Sequence, residues 1–183
     1  MWLSGERAAA YNTRKGSHQR GSSWFWRIQA HRFHKSILKG GHPVSVEENK
    51  AIARRFYEEV WNKHNLAALE EFMATDLIDH DPWLGQAPGR EGMKQQLALL
   101  LAAFPDLQFT VDLIIAEGDM VASRLTVSAT HTGEFIGIPP TGTQGTITGS
   151  EIFRIAGGKV VERWGNFDIL GMMQQLGVIP PPG

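Results

Sequence analysis

The sequence predicts an α+β domain in which a curved, mixed or antiparallel sheet wraps on three N-terminal helices and encloses a cone. Three observations lead there. Apolar residues recur at helical spacing as far as Pro105, and after Pro105 the period changes to two. The charge balance also divides the 183-residue chain: residues 1–43 carry eight Lys/Arg against one acid, Glu6, for a net +7, while the remainder sums to −8. Segments so different are not expected to form one folding unit, so the domain is assigned to residues 44–183.

Residues 1–43 read as a basic, disordered extension with one dense apolar patch, Trp24-Phe25-Trp26. No continuous apolar stretch follows its early charges, so a secretory signal is not expected. No apolar run in the chain is long enough to span a bilayer. The absence of cysteine excludes disulfides, a thiolate nucleophile and cysteine metal sites, and fits a cytoplasmic protein. Neither a nucleic-acid nor a membrane partner is assigned.

From residue 44 the elements follow in order. Ser45-Val46-Glu47-Glu48 forms a capping box. Ile52, Ala53, Phe56, Tyr57, Val60 and Trp61 then mark the apolar stripe of a helix ending near Lys63, with Lys50, Arg54, Arg55, Glu58 and Glu59 opposite. Asn65 is placed to cap a short helix from Leu66 to Met73. Asp76 to Trp83 reads as a loop or short extended piece stopped by Pro82. Gly89-Arg90-Glu91-Gly92 opens a third helix that ends at Pro105.

Beyond it, Phe109, Val111, Leu113 and Ile115 alternate with Gln108, Thr110 and Asp112, and Glu117-Gly118-Asp119 turns the hairpin. Val121, Ser123, Leu125, Val127, Ala129 and His131 share one face of the next strand. A loop from Gly133 to Gly142 precedes two more strands, about 146–155 and 160–167, joined at Ala156-Gly157-Gly158. Asp168 opens a short helix closed by Gly177.

The residues that could carry chemistry are few. Asp168 ends a strand whose alternate positions are Glu162, Trp164 and Asn166, so these side chains are expected on one face. In an apolar pocket the charged carboxylate would be destabilised, which suits a general base or acid. The competing role is N-cap of the helix starting at Ile169, and spacing alone favours the cap. His131, on the apolar parity of its strand, could orient a substrate or move a proton, or could be a core histidine bonded to backbone. His80 lies in Asp79-His80-Asp81-Pro82-Trp83. Neighbours on an extended segment point to opposite sides and no second metal-spaced His follows, so no metal is expected, and His80 and Trp83 are placed at a pocket rim. Trp164 and Asn166 are expected substrate contacts. There is no GxGxxG, P-loop, GxSxG or HExxH, which leaves a cofactor-free acid/base site.

These residues carry a resemblance. Asp79-His80-Asp81-Pro82, the helix from Gly89, Thr130-His131-Thr132-Gly133-Glu134-Phe135 running into Gly137-Ile138-Pro139-Pro140-Thr141-Gly142, Gly158-Lys159-Val160-Val161-Glu162-Arg163-Trp164 and Asp168-Ile169-Leu170-Gly171-Met172-Met173-Gln174-Gln175-Leu176-Gly177 resemble the SnoaL-like polyketide cyclases, in the ketosteroid-isomerase-like cone superfamily. The resemblance implies ring closure by intramolecular aldol condensation without metal or cofactor, a small hydrophobic or aromatic ligand, a homodimer, and Asp168 as the acid/base residue. Characterised relatives also use a His on the neighbouring strand. Here that strand reads Glu151-Ile152-Phe153-Arg154-Ile155, so the place falls to Arg154, Glu151 or, from another strand, His131. Two other readings stand beside it. One is a hydrolase of the epoxide-hydrolase kind, positioning water with Asp and Arg. The other is a non-catalytic ligand-binding or dimerisation module.

Overall fold

A computed structural model describes residues 45–180; the expected basic extension over 1–43 lies outside the described residues. The chain enters through the predicted capping box: Glu48 N donates to Ser45 Oγ and Ser45 N donates to the Glu48 carboxylate. Helix α1, Val46–Phe56, continues as a π-helical turn, Tyr57–Asn62. The wider turn keeps Tyr57, Val60 and Trp61 buried together and turns Asn62 onto the neighbouring strand, where its amide bonds both the N–H and the C=O of Phe109.

One expectation for the next stretch is corrected. In place of a helix from Leu66 to Met73 there is a 3₁₀ turn, Leu66–Ala68, and a single helical turn α2, Leu69–Phe72, and Asn65 makes no side-chain cap. The stretch from Asp76 to Trp83, expected as a loop or a short extended piece, is extended as far as Asp79, in strand β1, Met73–Asp79, which pairs parallel with the last strand. An irregularity in that pairing between Met73 and Ile78 leaves only Met73 and Leu77 buried, four apart, so no alternation betrayed the strand.

Helix α3, Gly89–Ala103, ends before Pro105 as expected. Strands β2 (Gln108–Glu117), β3 (Met120–Thr130), β4 (Gln144–Ala156) and β5 (Lys159–Phe167) follow, then α4, Ile169–Gln175. The sheet order is β1-β5-β4-β3-β2, antiparallel except for β1 against β5, and the curled sheet does not close.

Parity along β2 departs from the sequence reading. A bulge between Val111 and Leu113 switches the faces, so Phe109, Val111, Ile114 and Ala116 point inward while Leu113 and Ile115 are exposed. Asp112, at the bulge, accepts from the Thr126 hydroxyl. The core fills the concave face of the sheet beneath α1. There Phe153 stacks on Tyr57, Tyr57 on Phe109 and Phe109 on Trp61, a ladder of rings running from the packed core toward a cavity.

Candidate active site

The concave face of β5 carries Arg163, Gly165 and Phe167, and that of β4 carries Gly145, Ile147, Gly149 and Glu151. Two of these glycines exist for their neighbours. A Cβ on Gly149 would stand 2.1 Å from the Phe167 ring, and one on Gly165 would stand 2.4 Å from Arg163 Nη2. The sheet is therefore hollowed where an aromatic ring and a guanidinium lie flat across it.

Above this hollow is a cavity of about 420 Å³. Trp61, Trp83, Phe104, Phe109, Phe135 and Phe167 supply aromatic wall, and Met93, Leu97 and Leu100 of α3 close one side. Its size and apolar lining suit a flat organic ligand of a few fused rings. Among the described residues two charged side chains line it: Glu134, exposed at the rim, and Arg163, 7% exposed.

Arg163 is the cation of a buried cluster. Its Nε donates to Glu151 Oε1 at 2.8 Å, its Nη2 lies 2.6 Å from the same oxygen, and its Nη1 donates to both oxygens of Asp79 at 3.1 and 3.2 Å. Gln86, itself in the cavity wall, donates to Asp79 Oδ2. Burial opposes the guanidinium charge, and the two carboxylates outweigh it, raising the arginine above its ordinary value. Behind the cluster Tyr57 lies beside Ser123 and Glu151. Burial first, and the Glu151 charge second, push the Tyr57 hydroxyl well above the usual phenol range. Tyr57 Oη, Ser123 Oγ, Glu151 Oε2 and the Trp61 indole N–H are all buried without a hydrogen-bond partner among the described residues.

The residues singled out by sequence are distributed around this cavity rather than gathered in it. Trp83 lines it, edge-on to Phe135. Glu162, Trp164, Asn166 and Asp168 do share a face, but it is the outer one. His80 stacks flat on Trp164 at 4.3 Å and bonds Glu162 Oε2 at 2.8 Å, and Glu162 in turn holds Arg154. Burial alone would raise the Glu162 carboxyl, and the hydrogen bonds from His80 and Arg154 outweigh it and hold it below the ordinary range. Asn166 and Asp168 border a shallow outer recess with Arg124 and Ser150.

Asp168 is exposed and caps α4: Gly171 N donates to Oδ1 at 2.8 Å, in a space that a Cβ at Gly171 would fill. Its neighbours on either side, Phe167 and Ile169, line the cavity. His131 is fully buried behind the cavity wall, stacked on Phe104 and edge-on to Phe135. Its Nδ1 meets the Thr141 hydroxyl at 3.2 Å and its Nε2 has no partner. Of the candidates on β4, Glu151 faces inward and Arg154 outward. Sequence reasoning missed Arg163 and Asp79. The available signal was Arg163's place two residues before Gly165, which becomes legible only once that face is known to be concave.

Comparison with known proteins agrees with this architecture. The family described as SnoaL-like polyketide cyclase matches residues 51–176. Among solved structures, AclR of Streptomyces galilaeus shares 34% identity over 76% of this chain and 87% of its own, with a TM-score of 0.68. IdmH of Streptomyces antibioticus shares 36% over 71% of this chain and 99% of its own, with a TM-score of 0.63. A protein from Jannaschia sp. CCS1 shares 26% over 79% of this chain and all of its own, at 0.66. No curated protein matches the chain.

Proposed function

Since the chain belongs to the SnoaL-like polyketide cyclase family, we propose that it closes a ring on a small, flat carbonyl compound held in the aromatic cavity, with Asp168 handling the proton and no metal or organic cofactor taking part. One observation carries the reading: Phe167 and Ile169, the chain neighbours of Asp168, line the cavity, while the Asp168 side chain borders the outer recess one residue away. IdmH, provisionally described as a polyketide cyclase, lends the reaction class.

In this reading ligand binding draws the Asp168 carboxylate from its cap to the cavity edge, at a cost of about 1 kcal/mol for the lost N-cap bond. The carboxylate removes a proton from the carbon alpha to a carbonyl. The enolate carbon forms a bond to a second carbonyl carbon of the same molecule, whose π pair moves to its oxygen. Asp168 returns the proton there. Nothing is added or lost, so the step is an isomerisation. His131, which fixes the loop bearing Phe135 against the cavity, serves as a positioning residue.

The test is Asp168→Asn assayed against aromatic β-keto esters bearing a pendant ketone or aldehyde, with ring closure followed by chromatography. Asn also caps helices, so stability should change by less than about 0.5 kcal/mol while turnover falls about 10²- to 10⁴-fold. Undiminished turnover would remove Asp168 from the mechanism.

A hydrolytic reading has one observation in its favour, the carboxylate–arginine–carboxylate arrangement of Asp79, Arg163 and Glu151. Release of a diol from an aryl epoxide by the wild-type protein would promote it over the cyclase reading. As to assembly, we propose a homodimer through the outer sheet face, where cross-strand partners Ile115, Ala122, Ile152 and Trp164 form an apolar row. Ile115 and Ile152 are 57% and 39% exposed.

A further inference from the structure

We propose that Arg163 is the hydrogen-bond donor that receives the carbonyl oxygen of the ligand, and that Asp79 and Glu151 position it and restrict the site to neutral acceptors. The proposal rests on the cavity being the ligand site.

A guanidinium has five N–H bonds in a planar fork. The contacts of Arg163 go to one oxygen of Glu151, through Nε and Nη2, and to Asp79, through Nη1. Two carboxylates so arranged leave at least one Nη–H unspent, and among the described residues Arg163 is the one buried charged side chain in the cavity lining. The rest of the wall is largely aromatic or aliphatic, so a carbonyl entering it loses its hydration and must find a donor there. Arg163 supplies one without being able to surrender its proton, since both carboxylates hold it charged.

A fixed donor in an apolar cavity acts most strongly on an oxygen that gains negative charge, as the carbonyl oxygen does on passing to the enolate. Its orientation is set in advance. Gly165 leaves room for the guanidinium to lie flat, and Asp79 is itself oriented by Gln86.

The same carboxylates decide which ligands enter. Two acids against one base leave an excess of one negative charge at the polar end of the cavity, so a ligand carboxylate meets repulsion that the arginine does not cancel. A ketone or ester has no such penalty. Arg163 is therefore a donor to neutral carbonyls and not an anchor for anions.

The experiment uses three probes of one shape: 2-acetylnaphthalene, 2-isopropylnaphthalene and 2-naphthoate. Binding is measured by calorimetry, the bound ketone by infrared spectroscopy with a ¹³C carbonyl, and Arg163 by ¹⁵N-arginine resonances. In the wild-type protein the ketone, and not the hydrocarbon, should shift the Arg163 Nη–H signals, and its carbonyl stretch should fall below the value in hydrocarbon solvent.

The triple variant Asp79→Asn, Glu151→Gln, Arg163→Met leaves no unpaired charge. It should lose the infrared shift and about tenfold in ketone affinity while keeping the hydrocarbon. Glu151→Gln alone should raise 2-naphthoate affinity about tenfold. Ketone binding without an Nη–H shift in the wild type, or an infrared shift surviving in the triple variant, overturns the proposal. Failure of all three probes to bind overturns the cavity reading, and this inference with it.

Discussion

Arg163 and Tyr57 make opposite uses of the same burial. The arginine is held charged by its two carboxylate partners; the tyrosine is held neutral by burial first and by the Glu151 charge second. Because the Tyr57 hydroxyl has no hydrogen-bond partner among the described residues, Tyr57→Phe should change stability by less than about 1 kcal/mol, whereas Glu151→Ala, which takes one of two carboxylates from a buried guanidinium and leaves Asp79 as the other, should cost about 2–3 kcal/mol. Chemical denaturation of both variants checks this. The sign of the alkaline effect follows from the raised phenol. Above the unfolded value of about 10 the unfolded state sheds a proton that the native state keeps, so stability falls as pH rises. Tyr57→Phe should flatten the alkaline side of the melting-temperature profile.

At the scale of elements, ends and irregularities position the site. The π-helical turn delivers Trp61 to the cavity, and α4 is pinned to β4 by Gln175, whose amide bonds the N–H and C=O of Thr146. At the end of β3, Asp106 accepts from both the N–H and the hydroxyl of Thr130, next to His131. The hydroxyl bond first and the backbone bond second hold this carboxyl below its ordinary value. A depressed native value means the stabilisation is present above the unfolded value of about 4 and is lost as pH falls through the native one. Asp106→Asn should therefore lessen the drop in melting temperature between about pH 5 and pH 3. An unchanged acid limb would show that another carboxylate dominates it.

For the molecule as a whole, the sheet's two faces divide the work: the concave one builds core and cavity, and the outer one presents the apolar row Ile115–Ala122–Ile152–Trp164. If copies pair through that row, Ile152→Glu should yield monomers in sedimentation equilibrium with the melting transition of the monomer intact. A wild-type protein that sediments as a monomer at all concentrations would leave the row without a partner. Among the described residues no helix is long and apolar enough to cross a membrane.

The change from helix to strand at Pro105, the capping box, the hairpins and the family pattern are all local or near-local, and the sequence by itself determined them. The cap at Asp168 was equally legible, because Asp before a short helix closed by glycine is a local signal. What only the tertiary structure decided is which face of each strand looks inward. Period two fixes that Glu162, Trp164, Asn166 and Asp168 go together, but the curl of the sheet and the bulge at Asp112 determine whether a parity is core or surface. Parallel pairing of β1 with β5 was likewise hidden, because the partners Asp79 and Arg163 stand 84 positions apart in the chain. The buried cluster is made by that pairing, and its members are polar residues that no apolar pattern marks.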